Sequence, residues 1–484
     1  MMNEANVSGS DIAACKLFYL TKYALGIFVI FLAPFLNMGS FVLLFVLLSV
    51  LSLTPVMEFV SKAFGLTNEA KIKKIRSDFQ SAVIVLTFAF LAVALLNYFN
   101  FVFENYILFQ GFAVMMFSSY SLYSITHKVT LFDDLNDKAS FQNASLIHEF
   151  ILVALRTAAA FLTGWWILYM TQSTGTENWM LAPDLLNQLI FISLIGAFIG
   201  SLFESIPSAT DKNISVFLGS ALSMWLLYLF GYQTPWNQTL IAAAFSIFLA
   251  FLAYRYKIAD LSALFSAAVL GILIILFSGI EWYILLVAFF ILGGGFTKYK
   301  IKYKASIGLA ESKNGIRSYE NVFANSIFAM ALAVMFGITT QYTNYAWLSV
   351  PITFAYVGAV ATATGDTMAS EIGTTAKGPT FMITTFKRAK PGQDGGVSLL
   401  GECAALLGSI IIGLMAFFFG MIDSLPLSLL IAIAGGFLGT NIDSLLGATL
   451  QKKGILTNSS VNLVSTIIGG LISGILYFII RFLI

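Results

Sequence analysis

From Phe18 to the C-terminus the chain alternates apolar blocks of about 17 to 25 residues with short polar links, and each block, as a helix, is long enough to cross roughly 30 Å of hydrocarbon. The pattern predicts an all-α, polytopic transmembrane helix bundle of roughly fifteen spans. The first block, Leu17 to Leu36, carries no small-residue cleavage site and leads straight into another, so it is expected to be a retained span. Composition agrees with the pattern. Of 484 residues, 58% are hydrophobic and only 10% charged, which does not describe a water-facing surface. Cys15 and Cys403 are too far apart to read as a disulfide framework, and two histidines are too few for a histidine-rich metal site. The bilayer is the expected partner surface, and no nucleic-acid partner is expected.

The net charge of +2 says little, but its distribution says more. Lys and Arg gather in alternate links: Lys62 to Arg76, Lys128 and Lys138, Lys212, Arg255 and Lys257, Lys298 to Arg317, Lys377 to Lys390, and Lys452 with Lys453. The intervening links, such as Thr171 to Pro183, Gln341 to Asn344 and Asp423 to Leu425, have none. Because cytoplasmic links collect basic residues, the N-terminus and all the long loops are expected in the cytoplasm. Only Lys16, Lys22, Arg156 and Arg481 fall outside the scheme, within or at the end of a span. A composition change near Gln233 to Trp236 divides the chain into two expected domains, 1–232 and 233–484, without a close internal repeat.

In the second half, four polar clusters fall at span ends expected on one membrane side: "GIRSYENVFANS" with Asn321 and Asn325, "TATGDTMASEIG" with Gly365, Asp366 and Glu371, "KRAKPGQDGGVSLLGE", and "GGFLGTNIDSLLGATLQ" with Asn441 and Asp443. Polar side chains at a membrane are expensive and collect where a substrate or ion needs them. The inventory is that of a metal–phosphate site. Asp366, Glu371 and Asp443 are candidate Mg²⁺ ligands, Gly392, Gly395 and Gly396 a backbone cradle, and Lys387 with Arg388 the cations facing a transferring phosphoryl. Each feature also has a plainer reading. An acidic residue at a helix start is often only an N-cap, the three asparagines can be helix-packing hydrogen bonds, and Lys298 to Lys304 read as positive-inside anchors. Glu402, a turn inside a span, requires a local partner or a site role.

These stretches, in this order, resemble the integral membrane family that includes transmembrane protein 19 and the plant phytyl-phosphate kinase, also known as domain of unknown function 92. The resemblance covers about Lys257 to the C-terminus; "GQDGGVS" stands where that family usually has "GTNGGVS", so Asp394 adds a charge. It implies a CTP-dependent, Mg²⁺-requiring kinase acting on a prenyl monophosphate or related polyprenyl lipid at the cytoplasmic membrane surface. Asp366, Lys387, Arg388 and Asp443 would then be catalytic. Asn321, Asn325, Gly365, Gly392, Gly395, Gly396, Ser398 and Asn441 would bind the nucleotide, and Asp366, Glu371 and Asp443 the metal. In the first half, "GSLFESIPSATDKNISVFLGSAL" and "KASFQNASL" resemble worn motifs of the phytol and dolichol kinase-like families, with "MFSSYSLYS" where a Gly-Asp motif belongs. That half is expected to be a degenerate kinase-like domain. Two other readings fit the same residues, a transporter or flippase for an anionic lipid or small anion, and a cytidylyltransferase forming a CDP-lipid.

The orientation is testable. A cysteine placed at Asp394 is expected to react with a membrane-impermeant thiol reagent only after the inner face is opened; reaction only from outside would reverse the assignment.

Overall fold

The structure is a computed structural model that describes residues 104–117, 146–172, 182–206, 211–231, 234–309, 316–341 and 343–483, with short stretches between 23 and 95. Of the expected spans in the first hundred residues only those short stretches are described, and the "KASFQNASL" stretch up to Ser145 and all but the first two residues of "MFSSYSLYS" lie outside the described residues. Among those described, eleven helices are long and apolar enough to cross a membrane. The chain is therefore an all-α polytopic membrane protein. It divides into two compact units, Met1–Trp236 and Asn237–Ile484.

The first unit contains α1 (Asn105–Met116), α2 (Leu146–Gln172), α3 (Pro183–Ser205) and α4 (Lys212–Leu229), packed on one another. At its centre lies Arg156 of α2, fully buried. Its guanidinium donates to the Phe117 carbonyl at 2.9 Å, to Ser201 Oγ at 2.7 Å and to Glu204 Oε2 at 2.6 Å, so a charge inside a span is matched by a carboxylate and two further acceptors. Asp211 caps α4, its side chain accepting from the Asn213 amide at 2.8 Å.

The second unit begins within α5 (Trp236–Arg255) and continues through α6 (Leu261–Ser278), α7 (Ile280–Lys298), the short α8 (Ile301–Ser306), α9 (Tyr319–Gln341) and α10 (Ser349–Gly373). A small antiparallel sheet follows, in the order β2 (Arg388–Ala389), β1 (Thr380–Met382), β3 (Gly396–Ser398). Then come α11 (Leu399–Phe418), α12 (Leu425–Leu446) with a π-helical extension at Gly447–Gln451, and α13 (Asn458–Leu483). The sheet is only eight residues long.

Helix α10 is the hub, packing against α7, α9, α11, α12 and α13. Its residues from Pro351 to Gly365 are all buried, as a helix without a polar face must be. What lets so many neighbours reach it is a sequence of small residues. Hydrocarbon tails are as apolar as side chains, so helices in a membrane gain by close backbone approach rather than by leaving water. A Cβ added at Gly435 of α12 would stand 2.7 Å from the Gly358 Cα and 2.3 Å from Ser473 Oγ. Thr362 bridges the same seam, its hydroxyl bonded to the Gly358 and Gly435 carbonyls.

Gly435→Val is accordingly expected to destabilise the second unit by about 1–3 kcal/mol, the usual penalty for overpacking, read as a lower unfolding midpoint of the detergent-solubilised chain. An unchanged midpoint would mean the seam has room to spare.

Candidate functional site

Asp366 lies seven residues before the C-terminal end of α10, and Asp443 three before that of α12. Neither starts a helix. The stretch from Gly365 to Gly373, expected at a span end, is the last part of α10, which removes the N-cap alternative for both residues.

The approach of α10 and α12 sets them side by side. A Cβ at Gly365 would stand 2.9 Å from Thr440 Oγ1 and 3.2 Å from the Ala405 carbonyl, so the missing side chain is what allows α10 to seat between α11 and α12. The two carboxyls are close neighbours, and Ser465 Oγ of α13 donates to Asp443 Oδ2 at 2.9 Å. Both are half-buried, on the wall of a polar cavity of about 250 Å³.

The segment from Gly392 to Ser398 also lines the cavity. Gly392 and Gly395 adopt φ of 73° and 76°, left-handed values that favour glycine. At Gly395 glycine is also a matter of space, since a Cβ would fall 2.3 Å from the Ala448 Cβ of the π-helical segment. π-Helical turns are rare and frequent at functional sites; this one supplies Gly447 and Gln451 to the cavity wall. Ser398 caps α11 by accepting from the Gly401 amide at 3.2 Å.

The cavity therefore gathers Asp366, Asp443, Gly392, Gly395, Gly396 and Ser398 from three of the four polar clusters, together with Asp394 and Glu402. Gly365 packs behind it. Four of its lining residues are acidic, and among the described residues none that line it is Lys, Arg or His. Asp394 adds to the negative field at Asp443. Such a wall does not receive phosphate without a cation. Among the described residues, no three His, Cys, Asp or Glu side chains are grouped to form a metal cage. The donor set instead suits Mg²⁺, which takes one or two carboxylates and completes its shell with waters and phosphate oxygens.

The other expected site residues lie elsewhere. Lys387 and Arg388 are exposed on the β1–β2 hairpin and do not line the cavity. Asn321 and Asn325 are on α9, where the Asn325 amide donates to the Asn321 carbonyl at 2.9 Å. Asn441 holds Glu402, donating to Oε2 at 3.0 Å. Glu371 faces α7 and α8, accepting from Thr297 Oγ1 at 2.9 Å and pairing with Lys304. Lys304, expected as an exposed anchor, is 2% exposed and also donates to the Phe296 and Thr297 carbonyls, so it neutralises both Glu371 and the end of α7. Ser465 and Thr297 were not anticipated, since a hydroxyl on a neighbouring span leaves no mark in sequence spacing.

Residues 244–470 match the family described as integral membrane protein DUF92. An uncharacterized membrane protein of Methanocaldococcus jannaschii is 33% identical over 247 residues, 50% of this chain and 96% of that protein. Another from Synechocystis sp. is 32% identical over 242 residues, covering 49% and 90%. Protein VTE6, chloroplastic, of Arabidopsis thaliana is 28% identical over 215 residues, covering 44% and 63%. No solved structure matches the chain significantly.

Because Lys304 and Glu371 are nearly buried, at 3% and 12% side-chain exposure, Lys304→Met is expected to destabilise by about 3–5 kcal/mol by stranding a carboxylate. Adding Glu371→Leu should recover part of that loss in the same unfolding measurement; no recovery would mean the backbone carbonyls, not the ion pair, carry the effect.

Proposed function

The chain belongs to the DUF92 integral membrane family, and from that premise we propose that its second unit is a CTP-dependent, Mg²⁺-requiring kinase of a prenyl monophosphate or related polyprenyl lipid, with its site at the cytoplasmic membrane surface. The observation that carries the reading is the meeting of Asp366 and Asp443 with the Gly392–Ser398 turn in one acidic cavity at the end of the bundle. The resemblance of the same motifs to those of phytyl-phosphate kinase supports it. The first unit, with Asp211 engaged as a helix cap and Arg156 neutralised by Glu204, is read as a structural partner.

In this reading Asp366 and Asp443 hold the metal, while the glycine-rich turn lets phosphate approach the backbone where a side chain would block it. When bound, Mg²⁺ supplies positive charge for the phosphate oxygens as the anhydride bond of the donor breaks and a new P–O bond forms on the acceptor phosphate. Ser465 orients Asp443, and Asn441 keeps Glu402 on the cavity wall. The cavity has room for phosphates and a cation, not for a whole nucleoside triphosphate, so base and ribose extend beyond it.

Asp366→Asn keeps the volume and the hydrogen-bonding capacity but removes a metal ligand. Loss of an electrostatic ligand of this kind is expected to lower transfer of radiolabelled phosphate from CTP to prenyl phosphates by about 10²–10³-fold, with detergent-solubilised yield unchanged. Near wild-type turnover across a Mg²⁺ titration would sink the metal role. Lipid translocation by the wild-type chain without any transfer would favour the carrier instead.

A further inference from the structure

A second cavity, of about 730 Å³, opens beside the acidic one. Its walls are Phe381, Met382 and Phe386 of the β1–β2 hairpin and Leu399 and Leu400 in the first turn of α11. Val397, Ser398 and Glu402 line both cavities, so the two volumes lie on either side of β3 and the start of α11. Their characters are opposite: one is rich in carboxylates, hydroxyls and exposed glycine backbone, the other in aromatic and aliphatic carbon.

The apolar residues of this second cavity are unusually open. Phe386 is 81% exposed and Leu399 80%. Phe386 is also held at φ 54°, a left-handed conformation that bulky residues rarely adopt and that tends to mark sites of function. Leu399 begins a membrane span, so this groove opens where α11 enters hydrocarbon. Around it the charge is positive: Lys377 stands on its rim, and Lys387 and Arg388 are exposed on the same hairpin.

We propose that this groove is the chain subsite of a lipid phosphate, the hydrocarbon lying between the β1–β2 hairpin and the first turn of α11 while the phosphate head enters the acidic cavity. The proposal rests on the reading of that cavity as a site for a phosphate-headed lipid. An amphiphile fills two adjoining volumes of opposite polarity, and burying its chain against Phe386, Leu399 and Leu400 also covers apolar surface that the protein leaves open. The lipid reaches the site sideways from the bilayer, without leaving hydrocarbon. Lys377, Lys387 and Arg388, absent from the acidic cavity, lie along the path of an anionic head and attract it there. Chain length is then read by the groove, not by the carboxylates.

The test uses the full chain in phosphatidylcholine nanodiscs with a long-chain alkyl phosphate carrying a diazirine near the tail end, and phosphatidylcholine with the same diazirine tail as the bulk-lipid control. After photolysis, peptides from 376–402 are expected to carry several-fold more label from the phosphate probe than from the control, and excess unlabelled alkyl phosphate should remove the difference. Equal labelling by both probes, or label spread over every lipid-facing helix, would overturn the proposal. Phe386→Ser and Leu399→Ser, both at exposed positions that leave the fold intact, should each lower the specific label and raise KM for a long-chain prenyl phosphate about tenfold. Specific labelling of 376–402 without phosphoryl transfer would refute the kinase reading and leave the groove standing. Transfer with the same KM for short-chain and long-chain acceptors would refute the groove alone.

Discussion

Two carboxylates set side by side near the C-terminal ends of two spans are the constraint around which the second unit is organised. Asp366 and Asp443 repel one another and share their cavity with Asp394 and Glu402 and no described basic side chain. A fold that keeps such a pair must hold the helices rigidly together and leave space for a countercharge. The small-residue seam between α10 and α12 does the first, through Gly358, Gly365, Thr362 and Gly435. The acidic cavity beneath the Gly392–Ser398 turn does the second.

Elsewhere in the chain, buried charge is treated differently. Arg156 meets Glu204 in the first unit, and Lys304 meets Glu371 in the second. Both pairs are complete within the protein and also satisfy backbone or hydroxyl acceptors, so they fix geometry without calling for a ligand. Asp366 and Asp443 are the contrast, left with like charge for neighbours. That difference, between charge that is closed off and charge that is left open, separates the structural acids from the candidate site more clearly than their positions in the sequence do.

The groove beside the cavity extends the same logic to the membrane. A site with a charged interior and an apolar entrance, placed at the start of a span, is suited to a molecule that is itself divided into head and tail. The β1–β2 hairpin contributes to this by carrying Phe386 outward while β3 passes directly into the capping Ser398 of α11, so one short sheet serves both volumes.

Much of this was legible in the chain. Apolar block length determined that the protein spans a membrane as helices, because no other use of 20 consecutive apolar residues leaves the backbone satisfied in lipid. The order of the polar clusters pointed to Asp366, Asp443, Gly392, Gly395 and Gly396, since charge and glycine are conspicuous against hydrocarbon. Other features were beyond its reach. Glu371 looked equivalent to Asp366 five residues away, yet a helix turns 100° per residue, and the two face different neighbours, Lys304 for one and Asp443 for the other. Lys304 read as one of a run of surface lysines, and only the return of α8 toward the end of α7 buried it. Lys387 and Arg388 looked near the glycine turn in sequence, but the pairing of β1 with both β2 and β3 carried them out onto a hairpin away from the cavity. The sequence by itself determined which residues are costly to place in a membrane; only the tertiary structure decided which of those costs is offset by a partner, because pairing depends on helix rotation and on contacts between spans that spacing along one chain does not encode.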